Sequence, residues 1–237
     1  MTDRPSRSSA RGFTLVEMAV VLLILAILAG GLTAGLSAQV ARRNEAETDA
    51  ALDEARDALL GYALRRGTLP CPARSGSDGA EDRESLTTCR GNRLNGLLPW
   101  AELGISGLDA WGRRLHYAVA PDYVKAITLD SAGKLDIRTR NSAGTELTLT
   151  TAIGAAPALV LSHGPNGLGG IDADGNALAA PPAGSDEARN ATAGSTLFYA
   201  RSLSENSDAA GGAFDDRLVW VSPYLIANRL ASAGRLP

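Results

Sequence analysis

The 237-residue chain predicts an α+β fold: a long N-terminal helix, transmembrane in its first half and amphipathic in its second, packed against the antiparallel β-sheet of a head. Three observations predict it. No charged residue occurs from Met18 to Ala41, a run long enough for a bilayer core, which needs about 20 apolar residues. Beyond it, Leu52, Ala55, Leu59 and Ala63 recur at helical spacing. From residue 115 onward the chain breaks into short β-like runs separated by Gly, Asp, Asn and Pro.

The first twelve residues hold Arg4, Arg7 and Arg11 against Asp3. They contribute +2 to a net charge of −3, which leaves −5 for the remainder. A mildly acidic remainder offers no electrostatic footprint for nucleic acid. The apolar run is too long for the core of a cleaved secretory signal, so removal of the whole segment is not expected. Arginines flank it on both sides, with Arg42 and Arg43 after it, and the positive-inside rule alone leaves orientation open. Gly31 and Gly35 have the GxxxG spacing that permits close helix approach, although glycine use is also ordinary in membrane helices.

Glu17 stands at the head of the apolar run, where an ionised carboxylate entering the membrane centre costs roughly 2.5 kcal/mol or more. Taken alone, it also reads as a membrane-edge residue that reaches water. The amphipathic half is expected to stop near Arg66, because Gly67 suits a helix C-terminus, Arg65 and Arg66 complement the helix dipole, and Pro70 lies just beyond. A helix from Phe13 to Arg66 would run about 80 Å at 1.5 Å per residue. The expected divisions are a leader over 1–12, the membrane half of the helix over 13–41, its amphipathic half over 42–67, and a loop-rich head over 68–237.

Residues 68–112 carry turn residues at nearly every third position. Cys71 and Cys89 enclose 17 residues there, and if the apolar run exports the chain downstream of it, a disulfide is the default. By the loop-entropy model it would contribute roughly 3 kcal/mol. A metal site is the weaker reading, since there is no third cysteine, and His116 and His163 stand alone and distant in sequence. The β-like runs are 115–120, 123–129, 134–139, 146–152, 158–164, 196–202 and 217–222. The Gly/Ala/Pro-rich stretch 165–194 reads as a long exposed loop.

The stretch Arg11-Gly12-Phe13-Thr14-Leu15-Val16-Glu17-Met18 resembles the processing site of type IV prepilins and type II secretion pseudopilins. The resemblance implies cleavage between Gly12 and Phe13 by a prepilin peptidase and N-methylation of Phe13. It also implies assembly through Glu17, whose carboxylate would pair with the Phe13 amine of a neighbouring subunit in low dielectric. The implied partners are other pilin or pseudopilin subunits, the peptidase and an inner-membrane assembly platform. The implied location is the bacterial inner membrane with a periplasmic head, and then a filament.

In the head, LDAWGRRLHY, SHGPNG and FDDRLVW resemble segments of major pseudopilins. The chain departs from that pattern by a long insertion between Gly167 and Phe214 and by the LPCPA…C block, which points to a minor or specialised subunit. In the resembling pseudopilins such aspartates bind calcium, so Asp215 and Asp216 are candidate calcium ligands. A solvated turn with either aspartate paired to Arg217 is the competing reading.

Asp172, Asp174 and Asn176 start like a calcium loop, but Ala177 and Ala183 occupy the positions that an EF-hand gives to Gly and Glu. Ser162 and His163 are adjacent in one predicted strand and would face opposite sides, and no G-x-S-x-G elbow occurs, so no catalytic function is expected. Trp100, Trp111 and Trp220 read as packing residues. Arg90, Arg93, Arg113 and Arg114 make a thin case for DNA contact. A signal-anchored periplasmic binding domain that never polymerises is the alternative function.

Overall fold

A computed structural model describes residues 13–150 and 155–236, with the side chains of 28–36 excepted. The chain divides into two compact units, 1–44 and 45–237. Helix α1 covers Leu15–Arg66, 52 residues. It stops where Gly67 adopts φ 71°, a left-handed conformation that costs glycine least, and the Gly67 amide closes the last turn on the Ala63 carbonyl at 2.7 Å.

Among the described residues, no helix is long and apolar enough to cross a membrane. The side chains of the apolar run are described as far as Ile27 and again from Ser37, so the described part is shorter than the run expected to cross. The GxxxG pair falls in the gap, where only the helical backbone is described. The expected leader 1–12, including Gly12, also lies outside the described residues.

In the second unit, the four-stranded antiparallel sheet has the order β1-β2-β5-β7: Asn95–Leu97, His116–Val119, Ala158–Ser162 and Arg217–Val221. A three-stranded sheet has the order β4-β3-β6: Glu146–Thr148, Asp136–Arg140 and Leu197–Tyr199. Here β3 pairs antiparallel with β4 but parallel with β6, which departs from the all-antiparallel expectation. The long connection from β4 to β6 makes a parallel arrival possible, because it exceeds what a hairpin would allow.

Strand β5 explains the layering. All five of its residues are buried. Side chains alternate along a strand, so Ala158 and Val160 face Leu52, Ala55 and Leu59 of α1, while Leu159 and Leu161 face Ile137 and Phe198 of the smaller sheet. A strand with core on both faces reads as continuous apolar sequence. The single-turn helix α2, Trp100–Leu103, precedes β2, and helix α4, Pro223–Ser232, adds Ile226 and Leu230 to the α1 side.

Two stretches differ from expectation. Residues 123–129 do not form a strand: their polar groups bond to the segment that follows α1, with the Leu69 amide donating to Tyr123 O at 2.6 Å and the Ile127 amide to Gly67 O at 2.9 Å. The stretch 165–194 is not simply exposed, for it contains the short helix α3, Asp186–Asn190, with Asp186, Glu187 and Asn190 buried. Those side chains are held by ion pairs and hydrogen bonds, which hydrophobic patterning does not register.

Cys71 and Cys89 are joined in a disulfide with Cα atoms 5.5 Å apart, both buried. Glu81 ties this loop to α1 by accepting from Tyr62 Oη at 3.1 Å, from the Cys71 amide at 3.0 Å and from Arg83 Nε at 3.0 Å. Burial, and then the Glu81 charge, push the Tyr62 hydroxyl up to about 12, so it stays a donor at physiological pH. Replacing both cysteines by serine is expected to lower the stability of the head by roughly 3 kcal/mol. Thermal unfolding of the full chain in detergent checks this, and an unchanged midpoint would contradict it.

Candidate functional sites

The first site is the start of α1. Thr14 and Glu17 form a reciprocal cap: the Thr14 amide and Oγ1 both donate to Glu17 Oε2 at 3.0 Å, and the Glu17 amide donates to Thr14 Oγ1 at 3.2 Å. This is the S/T-x-x-E capping box, which satisfies amides that a helix start would otherwise leave unpaired. Its signal is present in Thr14-Leu15-Val16-Glu17, although the membrane cost of Glu17 dominates a reading of that residue from sequence. The cap uses Oε2 and leaves Oε1 able to accept a further donor. Around it, Phe13 is 81 % exposed and Leu15 89 %, and the large apolar side chains from Val20 to Leu25 are each about half exposed or more. Apolar surface on that scale marks a face made for another protein or a membrane.

The second site lies in the head, where Glu187 of α3 meets Asp215 and Asp216, which immediately precede β7. One carboxylate oxygen from each lies within 4.8 Å of the others. Gly164 permits the approach. Its φ is 55°, and a Cβ there would stand 2.2 Å from the Asp215 carbonyl oxygen, so only glycine lets the end of β5 pass so close.

Hydrogen bonds already engage one oxygen of each aspartate and both oxygens of Glu187. Asp215 Oδ2 accepts from the Asn166 amide at 2.9 Å, Asp216 Oδ2 from Asn190 Nδ2 at 2.8 Å, and Glu187 Oε1 from the Asp215 amide at 2.8 Å. Asp215 Oδ1 and Asp216 Oδ1 are buried without hydrogen-bond partners. Burial chiefly, with Glu187 and Asp216 adding to it, pushes Asp215 up to about 7. Burial also raises Glu187.

Sequence reasoning named Asp215 and Asp216 but missed Glu187. His163 is 2 % exposed and neither ring nitrogen has a hydrogen-bond partner, while its Nδ1 is 3.5 Å from Asp216 Oδ1. The competing ion pair with Arg217 does not form, because Arg217 instead donates from Nε to Asp49 Oδ1 of α1 at 2.7 Å.

The remaining candidates have structural explanations. Ser162 Oγ donates to Asp109 Oδ2 at 2.7 Å and makes no pair with His163. Asp172 closes its own turn, accepting from the amides of Asp174 at 3.0 Å and Asn176 at 2.8 Å. Arg113 holds the carbonyls of Gly164 and Pro165, Arg114 those of Gly76 and Ala173, and Arg90 and Arg93 both reach Asp82. Trp100 lies under the Arg114 guanidinium, 3.8 Å from it.

No curated protein and no solved structure matches the chain. One family model does, that of the prokaryotic N-terminal methylation motif, over residues 7–33. The match covers the segment that contains the Thr14–Glu17 cap and the exposed apolar start of α1. The chain therefore carries, in residues 7–33, the signature of the type IV pilins and pseudopilins.

Proposed function

We propose that the chain is a prepilin-like structural subunit, without catalytic activity, of a type IV pilus or type II secretion pseudopilus. Prepilin peptidase cuts after Gly12, Phe13 becomes the methylated N-terminus, and the apolar helix start holds the subunit in the inner membrane with the head on the periplasmic side. There the peptidase, the assembly platform and the other filament subunits are its partners. The observation that carries this reading is the methylation motif running directly into the exposed apolar side chains Phe13–Ile27. The disulfide-closed loop and the α3-bearing insertion favour a minor or specialised subunit over the bulk one, since both add specific structure to the head.

Assembly is tested by recovering filaments from the native host and probing them for the chain. Its presence there, dependent on the assembly ATPase, is the expected result. Recovery only as a membrane-bound monomer would overturn the reading in favour of a signal-anchored periplasmic domain.

A further inference from the structure

The insertion roofs a cavity of about 170 Å³ on the main sheet. Its floor follows from strand register. Leu97 pairs with His116 and His116 with Leu161, so Asn95, Leu97, His116 and, two residues past Leu161, His163 all face the side on which the insertion lies. The roof comes from Gly170, Ile171 and Ala193. It is held over the floor by the Arg114 amide, which donates to Ile171 O at 2.9 Å, and by Asn95 Nδ2, which donates to Ser195 O at 3.3 Å. Protein interiors close most voids larger than a water molecule, so an opening of this size beside a buried imidazole with no hydrogen-bond partner calls for an occupant.

The walls specify the chemistry of that occupant. Because the Asn95 amide nitrogen serves Ser195, its Oδ1 accepts from His116 Nε2 at 2.6 Å, and the His116 proton sits on Nε2. Burial chiefly, with His163 adding to it, holds His116 down to about 3, so the ring is neutral and its Nδ1 is an acceptor. His163 turns Nδ1 toward Asp216 Oδ1 at 3.5 Å, which places its proton there and leaves Nε2 an acceptor too. Both imidazoles therefore offer acceptors, and the missing partner is a hydrogen-bond donor. Arg114 in the wall opposes a cation, while Asp216 behind His163 opposes an anion. A cavity of about 150 Å³ takes up benzene, so this one admits a six-membered ring with one small substituent. We propose that the cavity binds a free, neutral small molecule of the phenol class, whose hydroxyl donates to an imidazole nitrogen and whose ring lies against Leu97 and Ile171. A phenol O–H is a stronger donor than that of an alkyl alcohol, which suits bare imidazole acceptors. The proposal goes beyond the filament reading, concerns the head alone and stands whether or not the chain polymerises.

The test titrates the full chain in detergent calorimetrically with phenol and with toluene, which has the same shape without the donor, each corrected by a titration into detergent alone. Phenol should bind at one site per chain and at least roughly tenfold more tightly than toluene, the difference that one hydrogen bond makes. That comparison needs no variant to fold. Ala193→Leu, at an exposed position of the roof, should fill the cavity and abolish phenol binding. At least one of His116→Phe and His163→Phe, which keep a ring but lose the acceptor, should erase the preference for phenol over toluene. The absence of saturable phenol binding, equal binding of phenol and toluene, phenol binding indifferent to Ala193→Leu, or a preference retained in both histidine variants would each overturn the proposal.

Discussion

Glu17→Val is expected to remove the chain from filaments while leaving membrane insertion and cleavage intact. In the proposed filament the carboxylate would pair with the Phe13 amine of a neighbouring subunit in low dielectric, and deleting one partner of a buried pair costs about 3–5 kcal/mol, a hundredfold or more in docking. The valine variant also loses the Glu17 half of the capping box, the acceptor for the Thr14 amide and Oγ1, while its own amide still donates to Thr14 Oγ1. Glu17→Gln separates the two effects, because an amide oxygen still accepts from the Thr14 amide but carries no charge. Gln should keep the helix start and still fail to assemble, as read from the sheared filament fraction. Normal incorporation of Glu17→Gln would show that the cap, and not the charge, is what assembly needs.

Asp186→Ala is expected to be the most destabilising single change in the head. Its carboxylate is 1 % exposed, accepts from Arg140 Nε and Nη2 at 2.8 Å each, and lies 2.9 Å from Arg201 Nε. Alanine removes the one carboxylate that two largely buried guanidinium groups share, which costs about 3–5 kcal/mol. Glu146→Gln serves as the contrast. That carboxylate pairs with Arg138 and Arg140 on the outer face of the small sheet, and at 36 % exposure its loss should cost about 1 kcal/mol or less. Chemical denaturation of the two variants measures the difference, and equal midpoints would contradict it.

The parts of the fold that were legible in the sequence are those written in apolar periodicity or strong stop signals. The end of α1 is marked by Arg65-Arg66-Gly67, and β5 by an unbroken ALVLS. The parts that escaped were written in polar contacts. Helix α3 has no apolar stripe: Asp186 is held by arginines, Asn190 by Asp216 and Tyr199, and Glu187 by the Asp215 amide. The stretch YVKAITL has strand propensity, yet its polar groups are used by the segment that follows α1. Helix α4 also escaped, although Pro223 in its first turn and Ile226 and Leu230 four apart are signals the sequence carries. At the candidate sites, Gly12, Phe13, Glu17, Asp215 and Asp216 were read from motif resemblance. Glu187 lies 28 positions before Asp215, and only the fold brings it to the two aspartates.

The most direct test of the central claim is the intact mass and N-terminal residue of the chain purified from membranes of its own host, with and without prepilin peptidase. The account predicts a chain that begins at methylated Phe13 only when the peptidase is present. A chain that retains Arg11-Gly12 in both cases would contradict it and leave a simple membrane anchor in its place.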